Sequence, residues 1–140
     1  CKIKNNKQKI LYIGNLNAKR DWGHAKDYVR AMWLMMQKNK PDDYVISTGK
    51  QYSVKKFIDI SAQKLGINIT WKKKGKFLEG INSKNNKTIV KQSIKYFRVS
   101  EVDSLLGDCS RAKKILGWRP NYNLNSLIDE MIKKELENLN

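Results

Sequence analysis

Short apolar runs that stop at glycine alternate along this sequence with longer stretches whose apolar residues recur every three or four positions. That alternation confines the chain to an α/β fold. Residues 10–14, Ile-Leu-Tyr-Ile-Gly, read as a strand ending in a turn, and Tyr44 to Thr48, closed by Gly49, read as a second. Between them His24 to about Lys38 is helical, with Ala25, Tyr28, Val29, Met32, Trp33 and Met36 on one face and Pro41 beyond its end. Ser53 suits the N-cap of a helix that sets Val54, Phe57, Ile58, Ala62 and Leu65 on one face and stops at Gly66. Ile67 to Trp71 and Thr88 to Val90 are further strands, and the Lys-, Asn- and Gly-rich residues 72–87 between them are expected to form a flexible loop. Ser110 is expected to cap a short helix through Leu116, halted by Gly117 and Pro120. A last amphipathic helix runs from about Asn125 to Leu139. No internal repeat is present, and residues 1–140 suffice for one modest core.

Composition excludes more than it assigns. The net charge of +16 would draw polyanions, but 24 of the 29 basic residues are lysines spread along the chain among many asparagines. Base readers place arginine for bidentate contacts or interleave aromatic with basic residues on one surface, and neither pattern occurs, so nucleic acid is not the expected partner. No apolar run is long enough to span a membrane, and no secretory pattern precedes Ile10. Cys1 and Cys109 make neither a disulfide framework nor a four-ligand zinc site, which fits a reducing, cytoplasmic setting; no metal site is expected. No glycine-rich phosphate loop follows a strand, so no dinucleotide-binding half is expected here. The opening at Cys1, inside a lysine-rich segment, reads as a fragment boundary.

The run from Gly14 to Val29, Gly-Asn-Leu-Asn-Ala-Lys-Arg-Asp-Trp-Gly-His-Ala-Lys-Asp-Tyr-Val, closely resembles the GDP-mannose 4,6-dehydratases, members of the extended short-chain dehydrogenase/reductase superfamily. The family has Asp where this chain has Asn17. Similarity continues at Ala31 to Met35, Pro41 to Ile46, Ser53-Val54, Tyr96-Phe97-Arg98, Glu101-Val102-Asp103, Gly107-Asp108 and Lys113 to Pro120. The resemblance implies the C-terminal, substrate-binding part of such an enzyme without its N-terminal Rossmann half. It also implies the family's reaction, GDP-mannose to GDP-4-dehydro-6-deoxy-mannose and water, on the route to GDP-fucose. NADP would be held mainly by the absent half, and the complete enzyme would be a homodimer or tetramer. A fragment of another GDP-sugar epimerase or reductase, or a basic nucleic-acid-binding module, is the alternative.

By that resemblance Arg20 contacts the nucleotide, as a guanidinium can grip a diphosphate through parallel charge-assisted hydrogen bonds. The local alternative is an ion pair with Asp21 or Asp27. Arg98 and Glu101 match the family's nucleotide-approaching Arg and ribose- or base-binding Glu, although Val99-Ser100 replaces its Pro-Thr. Asn15 is a further substrate-binding candidate, set against an ordinary turn role beside Gly14. Trp22 and Trp33 are expected in the core, Trp118 as a packing anchor and His24 as a helix-start residue rather than a base. No catalytic residue is expected in this chain. Tyr52 and Lys56 carry the superfamily's Tyr-x-x-x-Lys spacing, but they follow the Arg20 motif, whereas the active pair precedes it.

Overall fold

The structure, a computed structural model, describes residues 1–98 and 100–139. Val99, half of the altered Val99-Ser100 pair, lies outside the described residues. The main sheet has four strands in the order β1 (Leu11–Ile13), β6 (Thr88–Gln92), β5 (Phe77–Asn82), β4 (Ile69–Lys74). β1 runs parallel to β6 with Leu11 beside Val90, while β5 is antiparallel to both of its neighbours. Two shorter strands, β2 (Lys19–Arg20) and β3 (Tyr52–Ser53), form an antiparallel pair of their own. Helices α1 (Ala25–Met36), α2 (Val54–Lys64), α3 (Ser110–Leu116) and α4 (Leu124–Leu139) complete an α/β architecture.

The cap chemistry expected of the sequence sets several boundaries. Ser53 Oγ accepts from the Lys56 amide at 3.1 Å and starts α2. Gly117 closes α3 at φ 65°, a left-handed conformation that glycine takes without strain. Ser110, expected as a cap, is instead the first residue of α3. Asp108 Oδ1 accepts its amide at 2.9 Å, and the Ser110 hydroxyl, followed by this amide, holds the Asp108 carboxyl below its ordinary pKa.

Two layers of packing result. α2 packs on β4 and α4 packs on α2, the two helices joined by Lys64 Nζ to Asp129 Oδ1 at 2.7 Å. Between these helices and the strands lies an apolar cavity of about 670 Å³, walled by Phe57, Leu65, Ile89 and Ile128 among others. The second cluster joins Ala31 of α1 to Cys109, Ala112, Leu116 and Trp118. There Trp118 is 0 % exposed, and its indole N–H donates to the Asp27 carbonyl at 2.9 Å. The Asp27 carboxylate, in the first turn of α1, accepts the amides of Asn121 and Tyr122 at 3.0 Å. A buried carboxylate is tolerable there because backbone N–H groups satisfy it and the helix N-terminus favours its charge.

Four further expectations need correction. Most of residues 72–87 is not a loop: β4 continues to Lys74, the chain turns at Gly75 and returns as β5, and 83–87 connect it to β6. The lysines of β4 are exposed, while Ile69 and Trp71 alternate toward the protein, so the strand period is hidden in a polar run. Tyr44–Thr48 is not in either sheet. Its alternation survives, with Tyr44 and Ile46 packed against the Trp118 cluster and Val45 outward, but no described strand lies beside it. On α1 the expected apolar face turns mostly to solvent, because the helix packs inward through small Ala31 and buried Asp27. Trp33 belongs to that outward face and is not in the core.

Candidate functional site

Parallel pairing of β1 and β6 brings their carboxyl ends to one edge of the sheet, where open α/β sheets present ligand-binding loops. The segments that leave there, residues 14–20, 93–98 and 100–105, carry all four candidate residues. They are stitched at their roots: the Ser93 amide donates to the Ile13 carbonyl at 2.9 Å, and Gln92 Nε2 donates to the Gly14 carbonyl at 3.0 Å. Gly14 is required at this crossing, since a Cβ there would sit 2.2 Å from the Tyr96 carbonyl oxygen. Further along, the Lys19 amide donates to the Asp103 carbonyl at 2.7 Å.

The first loop is pinned from beneath. Leu16 and Ala18 are buried, and their carbonyls accept the amides of Lys55 and Val54 at the start of α2, at 2.9 and 3.1 Å. Alternation then turns Asn17 and Lys19 outward, and β2 pairs Arg20 with Tyr52. The guanidinium of Arg20 is held on the second loop: Nη1 donates to the Lys19 and Val102 carbonyls, both at 2.7 Å, and Nη2 to Glu101 Oε1 at 3.1 Å. A guanidinium has five N–H groups, so two remain for a ligand. Both members of the Arg20–Glu101 pair are about a quarter exposed or less, which strengthens the contact relative to a fully solvated pair.

Arg20 and Glu101 are therefore brought together as a unit. The local alternative fails, because Asp21 accepts instead from the Thr48 amide and hydroxyl and the Gly49 amide, and Asp27 belongs to the Trp118 joint. Asn15 is a turn residue that also reaches the site: its Oδ1 accepts the Asn17 amide at 2.9 Å, and its Nδ2 donates to Asp103 Oδ1 at 3.4 Å. Arg98 is exposed, and no hydrogen bond ties it to Arg20 or Glu101 among the described residues. The sequence reading passed over Asp103 and the Val102 carbonyl. Their signal was present, since both lie in the same Glu-Val-Asp run as Glu101.

Neighbouring features do not compete for the site. The 670 Å³ cavity is lined by none of the four candidates. A smaller cleft of about 220 Å³ opens among Trp22, Thr48, Lys50, Tyr52 and Tyr122, beside the β2–β3 pair. His24 caps α1, its Nδ1 accepting the Lys26 amide at 3.1 Å, while Nε2 faces Glu130 Oε2 at 3.1 Å and the ring stacks on Tyr122. A ring nitrogen that accepts from a backbone amide is committed to structure rather than proton transfer. Tyr52 lies in β3 and Lys56 in α2, so the Tyr-x-x-x-Lys spacing crosses a strand–helix junction and not one helix face. Among the described residues no His, Cys, Asp and Glu cluster could hold a metal, and no helix is long and apolar enough to cross a membrane.

The model of the family described as GDP-mannose 4,6 dehydratase matches residues 1–131. GDP-mannose 4,6 dehydratase of Dictyostelium discoideum is 47% identical over 131 residues, which is 94% of this chain and 37% of that protein. The enzyme of that name from Homo sapiens is 46% identical over 125 residues, 89% of this chain and 34% of that protein. Among solved structures, dTDP-glucose 4,6-dehydratase from Bacillus anthracis in complex with NAD superposes with a TM-score of 0.71 at 16% identity, over 97% of this chain and 37% of that one. The fold is thus that of extended short-chain dehydrogenase/reductase enzymes, and the chain spans little more than a third of the relatives it matches. A family match over nearly the whole length, with relatives close to half identical, places the chain in the GDP-mannose 4,6-dehydratase family.

Proposed function

We propose that this chain is the GDP-sugar-binding portion of a GDP-mannose 4,6-dehydratase, a nucleotide-sugar lyase that converts GDP-mannose to GDP-4-dehydro-6-deoxy-mannose and water. The observation that carries the reading is the Arg20–Glu101 pair, which sits on the family's own Lys-Arg-Asp-Trp and Glu-Val-Asp runs and joins them across 81 positions. Arg20 would grip the diphosphate with its remaining N–H groups. Glu101, steadied by Arg20, would accept from a ribose hydroxyl or a base N–H. Asn15, Arg98 and the exposed Lys19 would line the approach of the anion from the same two loops.

Nicotinamide chemistry belongs elsewhere in this reading. The chain has no glycine-rich phosphate loop, and Tyr52 and Lys56 do not share a helix face, so its residues do not fit NADP and no hydride or proton step is assigned to them. The cofactor would bind the portion of the family that this chain does not match. NADP rather than NAD, a cytoplasmic location, a role in GDP-fucose formation, and assembly of the complete enzyme as a dimer or tetramer belong to the same proposal.

Calorimetric titration with GDP-mannose, with GDP, and with UDP-glucose as a control tests it. Saturable binding of both guanine ligands, weakened at least tenfold by Arg20→Ala, is the expected result; each tenfold loss corresponds to about 1.4 kcal/mol. A folded chain that binds neither guanine ligand, or binds UDP-glucose equally well, would overturn the assignment.

A further inference from the structure

We propose that the open face of the main sheet binds single-stranded nucleic acid, with a base stacked on Tyr12 and the phosphates held by Lys72, Lys74 and Lys91. It is a second binding surface and does not rest on the sugar-nucleotide reading above.

The pleat defines this face. Leu11, Ile69 and Val90 wall the apolar cavity together with Phe57 of α2 and Ile128 of α4, so the alternate residues of the same strands point to the other side. There the pairing register lines up Tyr12, Lys91, Glu79 and Lys72 in one row that crosses all four strands. Lys74 lies opposite Phe77 in the next row, and the Phe77 ring packs on Phe97 at 5.9 Å between centroids. Tyr12 is 50 % exposed, and Lys72 and Lys74 are exposed as well. Glu79 Oε1 lies 3.7 Å from both Lys74 Nζ and Lys91 Nζ, so the lysines share one carboxylate and positive charge is left in excess.

Rings and lysines interleaved on one surface are what a single strand requires, since every base has a face that stacks and every phosphate a charge to neutralise. An open four-stranded sheet accommodates about two or three stacked bases. The pattern is invisible along the chain because Tyr12, Phe77 and Lys91 belong to three different strands. A duplex fits less well, because its bases are already stacked on one another. An anionic bilayer is bound by an apolar face that inserts below the charges, whereas here ring and charge alternate along one row. The net charge of +16 would draw any polyanion, so the test has to read placement as well as charge.

Fluorescence anisotropy of the full chain with a labelled oligouridylate of about 12 nucleotides provides it. Saturable binding is expected, weakened about fivefold or more by Tyr12→Ala, while Tyr12→Phe, which keeps the ring, stays within about twofold of wild type. The pair Lys72→Gln, Lys74→Gln should weaken binding about tenfold and flatten the slope of log K against log salt by about 1.4. Glu79→Gln, which frees two lysines, should tighten it. Lys38→Gln, Lys40→Gln removes the same charge beyond the end of α1 and should change affinity by no more than about twofold. Lys72 and Lys74 are exposed, so their variant should keep the wild-type thermal midpoint and decides the matter even if Tyr12→Ala lowers it. A folded chain that shows no saturable binding would overturn the proposal, as would an equal loss in the Lys38, Lys40 pair or equal affinity for a duplex of the same length. Displacement of the strand by GDP-mannose would place it in the Arg20 site and also overturn it. Tighter binding to phosphatidylserine vesicles, lost in the same variants, would reassign the face to a membrane with the same consequence.

Discussion

The two sides of α1 meet opposite fates, although the sequence gives the outer one the stronger apolar signal. Inward, the helix presents Ala31 and Asp27, a small residue and a carboxylate. This unassuming face is closed by Trp118 and satisfied by the backbone of Asn121 and Tyr122. Outward it presents Val29, Met32, Trp33 and Met36, which no described residue buries. Burial inside one chain follows complementarity rather than hydrophobicity alone. The flat Ala31 lets α3 and Trp118 approach, while the bulky stripe finds no complementary surface among the described residues.

The widest test of that contrast is removal of the inner anchor. Trp118→Ala deletes a fully buried ring and frees the Asp27 carbonyl, and the expected destabilisation is about 3–5 kcal/mol by chemical denaturation. In a domain of this size that shifts the melting midpoint by roughly 10 °C or more, at about 3–4 °C per kcal/mol. A loss below about 1 kcal/mol, the ordinary range of a surface change, would mean that the cluster around Ala31 is not the structural core of this half.

On the outer face the same residue type should matter little to the isolated chain. Trp33→Ser is expected to change stability by no more than about 0.5 kcal/mol, measured by the same denaturation. Two tryptophans of one sequence would then differ several-fold in their contribution to folding. A cost for Trp33 approaching that of Trp118 would erase the distinction between the faces.

That distinction also separates what could be read in advance from what could not. The 3.6-residue period identifies a helix and its apolar stripe, but not the neighbour that covers the stripe. Trp33 was therefore expected in the core, whereas Ala31, which carries the inward packing, gives no periodic signal. Tyr44–Thr48 shows the same limit in a strand, since pairing is a property of two segments and the alternation belongs to one. In β4 the failure had another source: a lysine run masks the inward turn of Ile69 and Trp71, and Gly75 looks like a loop when it is a hairpin turn. Residues 1–3 wall part of the large cavity, a placement that no periodicity announces. Arg20 and Glu101 were singled out by the family-like runs they lie in, and the structure brings the two side chains into contact. The carbonyls that fix Arg20 were not singled out, because backbone acceptors carry no residue-type signal.

The smallest expected effect lies where α1 begins. Glu130 of α4 accepts from Lys26 Nζ at 2.9 Å and faces His24 Nε2 at 3.1 Å, tying the start of α1 to the last helix. The hydrogen bond from Lys26, followed by that from His24, holds the Glu130 carboxyl below its ordinary value of 4.5, while partial desolvation opposes them. A carboxyl whose folded-state pKa is depressed contributes stability above its unfolded value and loses that contribution as the pH falls through the folded one. The joint should therefore weaken as the pH drops below 4.5. Lys26, whose pKa the same contact raises above 10.5, should lose its share only as the pH climbs past that value. Glu130→Gln keeps an acceptor for His24 but removes the charge, so melting midpoints recorded down the acid limb should fall less steeply in the variant than in wild type. Parallel acid limbs would mean that α1 is held against α4 by packing on Tyr122 alone, and that its polar start contributes as little to stability as its exposed apolar face.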